Sequence, residues 1–378
     1  MSRRQRALLL TEGFLSQIFA KTAHGILRGP SRYELVGVVD SAHAGQTVGD
    51  VLPMLTAGGA QAGPDGGRSA TLPIFRDLTE AAAAIDEAEA AEVLIVGIAT
   101  PGGTLSEPLR VALLDGARQG LVLVNGLHQL LEDDEEIVGA ARASGAELVD
   151  VRKPPSAGDL SFWSGEVLRC SVPRVAILGI DCAVGKRTTT SLLVSELRQR
   201  GVNATMIYTG QTGWLQGWRH GLILDAVPND FVCGELERAI LECVAEEAPD
   251  VILLEGQSGL RNPSGPCGGE LLLAAGASGA ILQVAPGRPA FKGLASMLDE
   301  VPAVAMPTVR SEVALIEAFG VGVWGVGVHP EGLDPEAARA ERDRLATELG
   351  IPVALPFEDG VGALAEAVVR HSNVPVSP

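Results

Sequence analysis

The sequence is short of several things, and each shortage narrows what the protein can be. Positive charge is scarce: 29 Lys and Arg against 47 Asp and Glu leave a formal net charge of −18. A surface of that sign repels nucleic acid and anionic membranes, so neither is expected as a partner, and any anionic ligand needs a local device to hold it. The five cysteines, at 170, 182, 233, 243 and 267, show no paired C-x-x-C spacing and no His partners. They predict reduced thiols and no metal centre. No run of about 18 apolar residues occurs, and the four apolar residues that precede Thr11-Glu12-Gly13 are too few for a secretory core. The expectation is a cytoplasmic protein without a membrane span. No internal repeat stands out.

Glycine and apolar residues, by contrast, are plentiful. At 378 residues, 46 % of them hydrophobic and 46 of them glycine, the chain has room for two ordinary α/β domains rich in short βα turns. One stretch organises the rest. Val175 to Leu178 form a wholly apolar run, which predicts a buried parallel strand. A glycine-bounded loop from Gly179 to Gly185 follows, then Lys186, Arg187, Thr188 and Thr189 at the start of a helix marked by Leu192, Leu193 and Leu197. Strand, glycine loop, lysine and helix is the order that cradles phosphate. Loop amides and the helix dipole point at an anion, and the lysine adds a point charge. Gly179, Asp181, Cys182, Ala183, Val184, Gly185, Lys186, Arg187, Thr188 and Thr189 are therefore the candidate cofactor-binding residues. The loop is one residue longer than the standard spacing. Arg187 also stands between the lysine and the first hydroxyl, Thr188.

Residues 1–151 read as a first domain with a Rossmann-like parallel sheet. Ala7 to Leu10, Leu35 to Val39, Leu72 to Phe75, Val93 to Ile98, Leu121 to Val124 and Glu147 to Val149 are strand-like, and the glycine-rich segment 56–71 predicts a mobile loop. Asp40 ends the second strand, as in dinucleotide-binding folds, but the first turn lacks G-x-G-x-x-G, which speaks against a nicotinamide cofactor. Residues 152–170 form a linker opened by Arg152-Lys153-Pro154-Pro155. In it Phe162, Trp163 and Val167 are expected to pack the domains together.

Residues 171–378 are the P-loop NTPase-like parallel-sheet domain. Its second strand, Ala204 to Tyr208, opens into Thr209 to Trp214, a polar, glycine-flanked run at a strand's ligand end, where Gln211 and Thr212 are candidate substrate contacts. Asp225 and Asp230 lie in irregular sequence around Pro228, ahead of a helix over 234–247. Val251 to Leu254 form a strand that ends in Glu255, the Walker-B position, where a carboxylate can hold a metal or serve as a base. Arg288, in the Pro-Gly-Arg-Pro turn after the strand at 279–284, is suited to a bidentate grip on a substrate carboxylate or phosphate.

The five-residue loop resembles that of dethiobiotin synthetase and its amidoligase relatives at Gly179, Asp181, Val184, Gly185 and Lys186. Those enzymes place a magnesium-binding hydroxyl directly after the lysine, where this chain has Arg187. A Glu-Gly at the strand end, here Glu255-Gly256, is also similar. Taken together, Lys21 to Gly25, Tyr33 to Asp40, Gly179 to Thr189, Thr209 to Trp214, Asn229 to Phe231, Gly234 to Glu237, Glu255 to Gln257 and Ala285 to Arg288 resemble a bacterial family of P-loop proteins long without a function. Its characterised members are D-glutamate N-acetyltransferases.

The resemblance implies transfer of an acetyl group from acetyl-CoA, as co-substrate, to the amine of D-glutamate or a related amino acid. The loop would hold the CoA phosphates. Glu255, Asp225 and Asp230 are the candidate bases, while glycine-turn amides, Gln211 or Thr212 could meet the oxyanion. Cys182 is more simply a small loop residue than a covalent acetyl carrier. The competing expectation is a carboxylate ligase or kinase of dethiobiotin synthetase type, with Mg-ATP handled by Lys186, Thr188 and Glu255; a nucleotide-binding regulator without turnover is a third. The partner expected in each case is a small molecule, and a symmetric homo-oligomer is the expected assembly.

Overall fold

The computed structural model describes residues 3–56 and 66–374 and divides into two compact units. The first comprises the chain up to Pro154 together with Gln211–Trp218, and the second comprises Pro155–Gly210 and Arg219 onward. The sequence alone put 211–218 with the second domain. The structure groups it with the first.

In the first unit, strands β1 (Arg6–Leu10), β2 (Glu34–Val39), β3 (Ile74–Phe75), β4 (Val93–Val96), β5 (Val122–Asn125) and β6 (Leu148–Asp150) form a sheet of order β3-β2-β1-β4-β5-β6. All its pairs are parallel. The central strands are apolar throughout because helices cover both faces, and Ala7 to Leu10 and Val93 to Val96 are buried residue by residue. Asp40 is fully buried and serves the fold: it accepts from Thr11 Oγ1 at 2.7 Å, the Leu15 amide at 3.0 Å and His43 Nδ1 at 2.7 Å. Residues 57–65, most of the glycine-rich segment, lie outside the described residues, and Gly66–Ser69 beyond them are one helical turn.

In the second unit, β7 (Arg174–Gly179), β8 (Ala204–Ile207), β9 (Val251–Glu255), β10 (Gly279–Val284), β11 (Val323–Val328) and β12 (Val353–Ala354) form a parallel sheet of order β12-β11-β10-β7-β9-β8. β7 is central, between β9 and β10. Because every strand runs the same way, the segments after β7, β9 and β10 emerge at one edge, the carboxyl edge where open α/β sheets bind ligands.

One expectation is corrected here. The helix expected over 234–247 begins at Asn229 and runs to Glu247, so Asp230 sits in its first turn rather than in irregular chain. Part of the polar run Thr209 to Trp214 is helical, one turn covering Gln211–Leu215. Of the three linker residues, Trp163 donates its indole N–H to the Ala274 carbonyl at 3.0 Å inside the second unit, Val167 is buried in that unit's core, and Phe162 is 69 % exposed. Among the described residues no helix is long and apolar enough to cross a membrane.

Candidate active site at the phosphate loop

The loop between β7 and the helix Lys186–Gln199 is shaped by backbone before any side chain acts. Gly185, at φ +89°, is the helix N-cap, and no side chain caps the first turn. The opening amides of a helix have no intrahelical acceptor, and here no side chain supplies one. Ala183 within the loop and Ser258 beside it are non-glycine residues held at φ 51° and φ 41°. Strain of that kind persists only where the surroundings over-determine it.

Asp181 ties the loop down. Its Oδ1 accepts from the Cys182 amide at 2.7 Å and from Asn262 Nδ2 at 2.8 Å. Its Oδ2 accepts from Arg288 Nη1 at 2.9 Å and from the Lys292 amide at 2.8 Å. Arg288, 7 % exposed, fans over the loop: it also donates to the carbonyls of Cys182 at 2.7 Å and Ala183 at 2.9 Å and pairs with Glu331. A planar guanidinium with five donors suits this task as no lysine could. The structure therefore places Asp181 and Arg288 together as the loop's internal brace.

Lys186 lies beneath the loop, 7 % exposed, with Nζ donating to the carbonyls of Asp181 and Ser258 at 2.7 Å each. Burial pushes its ammonium down to about 8, against the upward pull of Cys182, Asp181, Cys267 and Glu255. Glu255, at the end of β9, is buried, and burial raises its carboxyl above the usual range while Arg187, the Thr209 amide and Lys186 pull it back. Arg187 stands 4.0 Å from Glu255 Oε1, and the Thr209 amide donates to Oε2 at 3.2 Å. Gly256 lets β9 approach: a Cβ there would stand 2.3 Å from the Ile177 carbonyl oxygen. Cys182 donates its thiol to Ser258 Oγ at 3.5 Å. Thr189 is buried and Thr188 half-buried on the first helical turn.

Gly179 to Thr189, Glu255 and Arg288 thus form one cluster in the second unit. Asp225 and Asp230 are both exposed, unlike Glu255. Gln211 and Thr212 belong to the first unit, where Gln211 is buried, donates to Thr22 Oγ1 at 3.2 Å, and keeps an Oε1 with no hydrogen-bond partner. Sequence reading missed Lys292. Its amide is fixed on Asp181, and its Nζ is sealed from solvent without a hydrogen-bond partner, near Glu331, Arg288, Asp181 and Cys182. Burial pulls that ammonium below its ordinary value. Asn262 and Glu331 were missed too. Nothing in the sequence sets them apart, because their importance comes from reaching Asp181 and Arg288 across the sheet edge.

Comparison with known proteins fits this geometry. Residues 161–365 match a domain of unknown function, DUF1611, described as its P-loop domain, and residues 55–154 match its N-terminal, Rossmann-like domain. A D-glutamate N-acetyltransferase of Tritonibacter scottomollicae is 30 % identical over 296 residues, 77 % of this chain and 85 % of that one. One from a Pseudoalteromonas species is 30 % identical over 175 residues, 46 % of this chain and 50 % of that one. A crystal structure of a DUF1611 family protein from Anabaena variabilis superposes with a TM-score of 0.82 at 26 % identity, covering 97 % of this chain and 99 % of that one. With its Rossmann-like sheet, its P-loop sheet and these matches along most of its length, the chain belongs to the DUF1611 family.

Proposed function

We propose that the protein is an N-acetyltransferase that moves the acetyl group of acetyl-CoA to the amine of D-glutamate or a related amino acid. The observation that carries the reading is the anion cradle of the second unit: an uncapped helix N-terminus, a buried lysine beside it, and a second ammonium, Lys292, sealed in without a partner. A buried ammonium without a hydrogen-bond partner is costly, and an anion brought beside it offsets that cost. The phosphates of CoA are such an anion, and the names of the two curated relatives point to this donor–acceptor pair.

In the reaction the amine nitrogen attacks the thioester carbonyl carbon, the C–S bond breaks, and CoA leaves as its thiol after taking a proton. Glu255 is the base that takes the ammonium proton, since its buried carboxyl has a raised proton affinity and lies beside the loop. Lys186 and the first-turn amides hold phosphate. Arg288 and Asp181 hold the loop in shape and Lys292 is turned to the phosphates, which leaves the carboxylate of the amino acid to a group outside this cluster. The Mg-ATP alternative is disfavoured by one feature: Arg187 sets a cation against Glu255, the carboxylate that would face a metal.

The test is to incubate the full chain with D-glutamate and either acetyl-CoA or Mg-ATP while following free thiol and ADP. Thiol release that depends on D-glutamate supports the transferase. ADP release without thiol would replace it with the ligase, and silence in both would leave a binding protein. Glu255→Gln should lower turnover by about 100-fold or more while leaving CoA affinity within a few-fold, as expected for loss of a general base.

A further inference from the structure

The sequence spacing argued against a metal centre, yet folding brings together residues that it keeps far apart. In the second unit His220, Cys243 and Glu247 each offer one ligand atom, and these atoms lie within 4.8 Å of one another. Cys243 and Glu247 are four residues apart, so they share one face of the last turn of the helix Asn229–Glu247. His220 comes from the segment that returns to the sheet: the Tyr208 amide donates to its carbonyl at 3.2 Å, and Gly221 bridges to Tyr208.

The imidazole is what makes this more than a chance grouping. Its side chain is 5 % exposed, and its Nε2 is buried without a hydrogen-bond partner although Glu247 Oε1 is 3.3 Å away and Glu246 Oε2 3.6 Å away. Two carboxylates therefore converge on one nitrogen, and neither takes up hydrogen-bond geometry with it. A cation set between them would satisfy all of them at once. Ligand bonds of about 2.0–2.3 Å to nitrogen, oxygen and sulfur put neighbouring ligands of a tetrahedron roughly 3.3–3.7 Å apart. The His220–Glu247 separation of 3.3 Å already meets that spacing, and the Cys243 sulfur lies within 4.8 Å of both ligand atoms.

The electrostatics agree. The carbonyl end of a helix carries partial negative charge, and Glu246 and Glu247 add two carboxylates. Arg219 pairs with Glu246 at 2.5 Å, and the Glu246 side chain is 44 % exposed.

We propose that His220, Cys243 and Glu247 form a transition-metal site with Zn²⁺ as the fitting ion, Glu246 or water completing four ligands. Mixed imidazole, thiolate and carboxylate donors favour Zn²⁺ over Mg²⁺ or Ca²⁺. The site would tie the chain after Trp218 to the end of the long helix. It is separate from the phosphate loop, and its test does not depend on the proposed reaction.

The experiment is to strip the full chain with a chelator and titrate it with Co²⁺ and then Zn²⁺. The expected result is one equivalent of Co²⁺ bound with a thiolate-to-cobalt charge-transfer band, displaced by Zn²⁺, and a melting temperature raised by Zn²⁺ but not by Mg²⁺. Cys243→Ser should abolish the charge-transfer band, whereas Cys182→Ser should keep it. His220→Gln and Glu247→Gln, checked for native circular dichroism, should each weaken binding at least tenfold; they decide the matter if the Cys243 variant does not fold. No band in the wild-type protein, a band that survives Cys243→Ser, or unchanged affinity in both His220→Gln and Glu247→Gln would overturn the site in favour of a metal-free His220–Glu247 ion pair.

Discussion

Lys186 shows how much one buried side chain can be asked to do. Free lysine titrates near 10.5 and this one at about 8, so between those values the unfolded chain keeps a proton that the folded chain releases. Stability without ligand should therefore rise as pH climbs from about 8 to about 10.5. Anion binding needs the charged form, so CoA affinity should be flat below pH 8 and fall above it, by no more than tenfold per pH unit for a single proton. Calorimetric titration from pH 6.5 to 9.5 reads this directly, and an affinity that ignores pH across that range would remove Lys186 from the contact. Arg288 makes a different prediction. Removing it leaves Asp181, which is wholly buried, without its cation, and stranding one partner of a buried pair typically costs about 3–5 kcal/mol. Arg288→Ala should lower the urea midpoint far more than Glu331→Gln, since the Glu331 side chain is 44 % exposed and only one of several acceptors. Equal effects of the two would mean that the brace lies elsewhere.

At the level of elements, the strands were readable because parallel strands buried on both faces are continuous apolar runs. The helix at Asn229 was misjudged for an equally physical reason. Gly234 looks like a helix start in sequence, but it lies inside the helix, where a Cβ would stand 1.9 Å from the Ser161 carbonyl oxygen. The glycine is there to let the helix press on residues 161–162, a demand made by tertiary contact and invisible in local pattern. Gly139 faces no such demand: it lies in the helix Glu135–Ser144, and a Cβ there would meet nothing within 4 Å. Gly139→Ala should stabilise by up to about 1 kcal/mol through helix propensity, whereas Gly234→Ala should destabilise by about 1–3 kcal/mol or more as an overpacked contact. Paired denaturation curves test both. Similar shifts in the two variants would refute the close-approach reading of Gly234.

For the whole molecule, the sequence yielded two parallel-sheet units and the phosphate loop but not the membership of Gln211–Trp218 in the first unit, because that segment is continuous in sequence with strand β8 of the second. Chain continuity is a local property, and unit membership is set by contacts such as Gln216 Nε2 to the Gly25 carbonyl at 2.8 Å and Arg32 over the Trp214 ring at 4.2 Å. Charge, on the other hand, was readable from the start, and it has a consequence for the whole particle. A net charge of −18 repels CoA, itself several times negative, at long range. Close to the loop, Lys186, Arg187, Arg288 and Lys292 face Asp181, Glu255 and Glu331, so the local field is nearly balanced and attraction begins only at short range. Screening shortens from roughly 30 Å at 0.01 M salt to about 10 Å at 0.1 M, which removes the distant repulsion first and leaves the buried contacts little changed. The association rate of CoA should thus rise with ionic strength over that range while its dissociation rate stays nearly constant. Stopped-flow binding would show it, and a rate that falls with added salt would mean that a positive field, rather than the overall acidity, governs the approach to the loop.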